Sequence, residues 1–189
     1  MARSKRDDIM DAALVLFAER GYDGTTVPMI AEKAKVGAGT IYRYFENKES
    51  LVNSMFQDNV AKFSDMLRSS LDGESNDIRH QFHQLFRQMV HFAKQNEYAL
   101  QFIDSHMDGH YLDEKSNQIF EEFLEYLHSF AVKGTEEGVF CSLQPNAIIA
   151  IVYGAFSRLY KLIRLGVIEE SEQLIQQVED CCWNAIRIY

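Results

Sequence analysis

The chain has 189 residues, 47% hydrophobic and 25% charged, which is enough apolar mass for a packed core and too much for a disordered chain. Two prolines and ten glycines exclude collagen-like or linker-dominated architecture. The three cysteines have no repeated spacing, so they imply no disulfide framework and fit a reducing cytoplasm. The net charge of −9 is unevenly spread: residues 1–50 carry eight Lys/Arg and eight Asp/Glu, so the whole acidic excess lies beyond residue 50. A neutral head with a basic tip at Arg3, Lys5 and Arg6 can approach phosphates while an acidic body points away from them.

Taken in chain order, the hydrophobic spacing is helical almost throughout. The charged N-terminus runs directly into an amphipathic pattern and predicts no signal peptide. Ile9, Ala12, Ala13, Leu16 and Phe17 give the stripe of a first helix, which Gly21 ends. Thr26 can cap a short second helix with Pro28 in its first turn, and a third runs from about Ala38 to Phe45. Asn47 caps a long fourth helix that Asp72-Gly73 closes. Further helices are expected at roughly 76–95, 97–107, 113–135, 145–165 and 170–188, with breakers at Gly109, Gly134, Gly138, Pro145 and Gly166. The uncharged stretch Val139–Ser157 contains an apolar run too short to span a membrane, and it reads as a buried helix. The chain is therefore expected to be all-α, with about nine helices, a head of residues 1–50 and a body of residues 51–189.

The second and third helices, joined by Lys35-Val36-Gly37, form a helix-turn-helix pattern. Around it stand Phe17-Ala-Glu-Arg-Gly21-Tyr22, Thr25-Thr26-Val27, Ile30-Ala31, Val36-Gly-Ala-Gly39-Thr40-Ile41-Tyr42-Arg43-Tyr44-Phe45 and Asn47-Lys48-Glu49-Ser-Leu51. Over residues 9–51 this run resembles the DNA-binding head of TetR-type transcriptional regulators. The residue chemistry points the same way. Thr40, Tyr42, Arg43 and Tyr44 cluster more donors on a short helix than solubility requires, and Gly39 leaves backbone open to close approach. Lys48 in a first helical turn opposes the macrodipole, a misfit that a polyanion would compensate.

The resemblance assigns Thr25 or Thr26, Thr40, Tyr44 and Lys48 to phosphates, and Tyr42 and Arg43 to base edges. Two positions depart from the family pattern: Lys35 stands where a left-handed glycine is usual, and Gly37 stands where a capping residue is usual. The resemblance further implies a small-molecule inducer held in the body. Phe82, Phe86, Met89, Phe102, His106, Phe123, Tyr126, Tyr153 and Phe156 are the pocket candidates, with His83, Gln101 and Asp104 as polar residues among them.

No catalytic constellation stands out, and no enzyme or cofactor is expected. Gly37-Ala-Gly39 lacks the third glycine and preceding strand of a dinucleotide loop. His106 and His110, or His80 and His83, could in principle share a metal, but pocket or surface histidines fit better and no metal site is expected. Cys181-Cys182 reads as core. The last two helices carry wide apolar arcs, including Ile148, Phe156, Leu159, Ile175, Val178, Cys182 and Ile186. Their surplus suits a homodimer, which a charge at Ile186 should split.

The expected protein is a cytoplasmic, ligand-responsive repressor. It would bind a palindromic operator as a dimer and be released by a small apolar or aromatic ligand, with no membrane partner. The fourth helix would be the one element joining head and body. The alternative is a helical small-molecule-binding protein whose head is a protein-interaction module.

Overall fold

The computed structural model describes residues 4–71 and 76–188. Arg3 and the expected Asp72-Gly73 helix end lie outside them.

Helix α1 (Lys5–Arg20) starts where Ser4 accepts from the Asp7 N–H at 3.2 Å while the Asp7 carboxylate accepts from the Ser4 N–H at 3.2 Å, a reciprocal capping box. It ends at Gly21, whose φ of 68° only glycine adopts without strain. Helix α2 (Val27–Lys33) follows an extended Thr26 that makes no side-chain cap bond. Helix α3 (Ala38–Tyr42) is shorter than the sequence suggests: after Tyr42 the chain tightens into a turn, with both Tyr44 and Phe45 N–H groups donating to the Ile41 carbonyl at 2.9 Å.

Helix α4 (Lys48–Ser70) is capped as expected, the Ser50 N–H donating to Asn47 Oδ1 at 2.8 Å. Helices α5 (Ile78–Gln95), α6 (Ala99–His106), α7 (Glu114–Glu136), α8 (Pro145–Arg164) and α9 (Glu172–Ile186) complete the element order, each within a few residues of its expected place. Among the described residues the one extended pairing is an isolated antiparallel bridge between Phe140 and Arg187. The chain is all-α.

Gly134 does not break a helix. It lies inside α7, because the ring of Phe140 packs where its Cβ would be.

The helices fall into two compact units. The first holds the chain up to Lys62 together with Tyr98–Phe120; the second holds Phe63–Glu97 and the chain from Glu121 onward. Both α4 and α7 therefore contribute to both units, while only α4 runs from the edge of the expected head into the expected body.

In the first unit α1 packs on α2 and α6, and α2 packs on α3. Its core is Ile9, Phe17, Ile30, Ile41, Leu51, Phe56 and Phe102, all nearly solvent-free. In the second unit α9 packs on α5 and α8. There the fully buried Glu179 carboxylate lies 3.0 Å from Arg79 Nη1 and 2.8 Å from His83 Nδ1, and Arg79 Nη2 reaches Asp180 at 3.0 Å. A buried carboxylate is tolerable only with such partners, so this cluster fixes the register of α9 on α5.

The expectation of a buried α8 does not hold within one chain. Ile148, Phe156 and Leu159 are buried, but Ile151, Gly154 and Ala155 face outward. By length and composition alone α8 could cross a membrane, although it ends in Arg158, Lys161 and Arg164.

Candidate nucleic-acid interface and ligand cavity

On the first unit, the short α3 and the turn after it project polar side chains outward. Tyr42 is 55% and Tyr44 46% exposed although both carry large rings, and Arg43 beside them is exposed as well. Ile41 and Phe45 are the anchors that hold this face outward, at 1% and 5% exposure. Thr40 is half-buried, and Thr26 is exposed. A Cβ built on Gly39 would meet nothing within 4 Å, so no packing inside the protein demands glycine there.

Three of the expected contact groups are also engaged within the protein. Thr25 is fully buried, its hydroxyl directed at the carbonyls of Gly21 (2.8 Å) and Leu16 (3.1 Å), so it joins α1 to α2, and of the two candidates only Thr26 is exposed. Within the basic tip, the described residues are ordered by α1. Lys5 and Arg6 form the first turn of α1, with the Arg6 guanidinium 5.5 Å from the Phe45 ring centroid and 3.9 Å from Asp58. The Lys48 ammonium is partly engaged inside the protein. It donates to the Tyr22 carbonyl at 2.9 Å and to the Thr25 carbonyl at 3.1 Å, and it sits 3.8 Å over the Tyr22 ring.

Lys35, before Val36, adopts φ of 55° without being glycine, so the left-handed turn survives the departure in sequence. Gly37 is the residue before α3 and supplies no side-chain cap.

Sequence reasoning missed the polar hub beneath this face. Asn53 is buried on α4; its amide donates to the carbonyls of Glu49 (2.9 Å) and Tyr111 (2.8 Å). Its carbonyl accepts from the Asp113 N–H at 2.8 Å and from the Ser116 hydroxyl at 2.7 Å. The available signal was an asparagine inside the apolar run Leu51-Val52-Asn53-Ser54-Met55-Phe56.

The second unit contains a small apolar cavity of about 60 Å3 that opens to solvent. Phe82, Phe86, Met89 and Tyr153 line it as expected, joined by Leu127, Phe130, Phe140 and Ile149, which were missed. Among all lining side chains, only Tyr153 carries a polar atom.

The other candidates stand elsewhere. Phe123 packs on Phe63 with centroids 5.3 Å apart, Tyr126 donates to the Leu67 carbonyl at 3.3 Å, and Phe156 packs behind Phe86 at 6.0 Å. Phe102 and His106 belong to the first unit, against Phe17 at 6.2 and 5.9 Å, so they do not line this cavity.

His106 is fully buried. Its Nδ1 must carry the proton, because the Phe102 carbonyl 2.8 Å away can only accept, and Nε2 is left without a partner. Burial lowers its pKa and keeps the ring neutral. The polar candidates are likewise engaged outside the cavity: His83 with Glu179, and Gln101 with the Ala18 carbonyl. Among the described residues no group of three or more His, Cys, Asp or Glu is placed to hold a metal. Burial pushes the Cys182 thiol up to about 11, which makes it an inert core group.

Comparison with known proteins gives two family matches along the chain. Residues 9–55 match the family model for bacterial regulatory proteins of the tetR family, and residues 56–188 match the model for the tetracyclin repressor-like C-terminal domain. The fatty acid metabolism regulator protein of Bacillus subtilis is 28% identical over 140 residues, covering 72% of this chain and 71% of that one. The IcaR negative transcriptional regulator of the biofilm operon icaADBC in Staphylococcus epidermidis is 26% identical over 175 residues, covering 88% of this chain and 90% of that one. The solved structure of the ketosteroid transcriptional regulator KstR2 of Mycobacterium tuberculosis superposes with a TM-score of 0.83 at 20% identity, over 100% of this chain and 98% of that chain. With a helix-turn-helix head and a helical body both matched, the chain belongs to the tetR family of bacterial regulatory proteins and is a DNA-binding transcriptional regulator.

Proposed function

We propose that this regulator is a cytoplasmic, dimeric repressor that releases its operator when a long apolar molecule, a fatty acyl chain, fills the cavity of the second unit. The head of residues 1–50 carries the DNA contacts and residues 51–189 carry ligand and dimer contacts. Tyr42 and Arg43 meet base edges; Thr26, Thr40, Tyr44 and Lys48 meet phosphates, and Gly39 lets the backbone come close. The exposed tyrosines around Arg43 support this, because large rings left in water without a partner are otherwise unfavourable.

The observation that carries the ligand reading is the cavity's lining. With Tyr153 as its only polar side chain, it cannot compensate a buried charge or amide, so whatever enters must bury hydrocarbon and keep its polar end outside. The similarity to a fatty acid metabolism regulator favours an acyl chain. A second copy of the chain would cover the outward stripe of Ile151, Gly154 and Ala155 on α8 and of Cys181 and Ala185 on α9, with half-buried Val178 at its edge.

The test is titration of operator binding with free fatty acids and their coenzyme A thioesters of graded chain length. Longer chains should weaken operator binding, and Ile149→Trp, which fills the cavity, should blunt the response. If no chain of any length alters operator binding, the acyl reading is wrong.

A further inference from the structure

The loop between α6 and α7 carries Tyr111, and three features fix where its ring goes. Gly109 is bare where a Cβ would lie 2.5–2.8 Å from atoms of the Tyr111 ring, so the ring folds back over the glycine. Asn53 on α4 grips the main chain at Tyr111 (2.8 Å) and at Asp113 (2.8 Å). The ring then stacks on Tyr22 with centroids 3.9 Å apart and planes 18° from parallel. Lys48 Nζ stands 3.8 Å from the same Tyr22 centroid. A ring and an ammonium that close cannot share one face, so Tyr22 is held between Tyr111 and Lys48.

We propose that Tyr111 is a positioning residue for operator binding: it fixes the Tyr22 ring, and that ring with its own carbonyl and that of Thr25 fixes the Lys48 ammonium at the start of α4. The inference rests on the reading of Lys48 as a phosphate contact. Two of the three ammonium N–H donors are taken by carbonyls, and one is left for a phosphate oxygen. A free lysine would lose several rotatable bonds on meeting DNA; here that ordering is already complete in the protein. Partial burial pushes the half-buried Tyr111 phenol up to about 12, so the ring stays neutral across the working pH range.

The experiment is a double-mutant cycle of binding to a duplex enriched from random DNA, using the full chain with Lys48→Ala, Tyr111→Ala and both. Lys48→Ala should weaken binding and lower the salt slope by about one. Tyr111→Ala should weaken binding by about three- to tenfold with Lys48 present and by less than about twofold without it. Tyr111→Phe, which keeps the stacked ring, should restore binding. Where Tyr111→Ala does not fold, Gly109→Ala displaces the ring instead and enters the same cycle. If the loss persists undiminished beside Lys48→Ala, or if Tyr111→Ala binds as wild type, Tyr111 does not act through Lys48. If Lys48→Ala leaves affinity and salt slope unchanged, the phosphate reading itself fails and the proposal falls with it.

Discussion

Lys35 holds φ of 55°, a conformation that costs a residue with a Cβ about 1–2 kcal/mol relative to glycine. Lys35→Gly should therefore stabilise the chain by about 0.5–1 kcal/mol after the entropy of the freer unfolded glycine is counted, read as a raised urea midpoint. Unchanged or lower stability would mean that the lysine side chain compensates its own strain. This position was legible in the sequence as a departure from the family pattern, which usually has glycine there. His106 was legible only as a polar residue among aromatics; its burial against Phe17 depends on how α6 meets α1, which no local pattern encodes. Because burial favours the neutral ring, the unfolded chain binds protons more readily than the folded one. The stability contributed is complete above the ordinary histidine value of 6.5 and is lost as pH falls below it. Urea midpoints at about pH 7.5 and about pH 5.5 should thus fall further for wild type than for His106→Gln. Equal falls would show that His106 is not the neutral buried group described.

Among the elements, the helices themselves were the most legible part, because apolar spacing announces them; Asn47 caps α4 as expected, Thr26 makes no cap bond, and the caps at Ser4, Asp77 and Ser171 were not read from the sequence. Gly134 shows where that legibility ends. A glycine in helical spacing reads as a stop, yet α7 continues through it because Phe140 comes back from beyond Gly138 to occupy the space. The same contact sets a prediction. Alanine normally favours a helix over glycine by up to about 1 kcal/mol, but a Cβ here would lie 2.2 Å from the Phe140 ring. Overpacking should win, with Gly134→Ala costing about 1–3 kcal/mol by urea unfolding. A stabilised variant would show that Phe140 does not sit on that backbone. The arcs of α8 and α9 were legible as too wide for one core, but which residues were surplus was not. Ile186, expected on the outer face, is 1% exposed and lines the cavity, because α9 turns Ile175, Glu179, Cys182 and Ile186 inward.

For the whole molecule, the outward stripe of α8 and α9 is where a second copy should bind, so Val178→Asp, in place of a change at Ile186, should yield folded monomers by sedimentation while a surface control such as Gln177→Asp stays dimeric. A monomeric wild type would contradict this. The pocket was the least legible feature: a cavity is a shortage of side-chain volume among several helices, and composition reports only that aromatics are present. Phe123, Tyr126 and Phe156 pack outside the cavity's lining, and Phe102 and His106 belong to the other unit. The head, by contrast, is a short contiguous motif whose family was legible in sequence, and Tyr42, Arg43 and Tyr44 are exposed there, whereas Thr25 turns inward and Lys48 is partly engaged. The central claim is that two such heads of one dimer read one operator. Selection of bound duplexes from random DNA by the purified protein tests it most directly. An enriched inverted repeat, with half-sites related by a two-fold axis and base preference at the positions that Arg43→Ala relaxes, is the result predicted. Binding without an enriched sequence, or enrichment of a single unrepeated site, would contradict it.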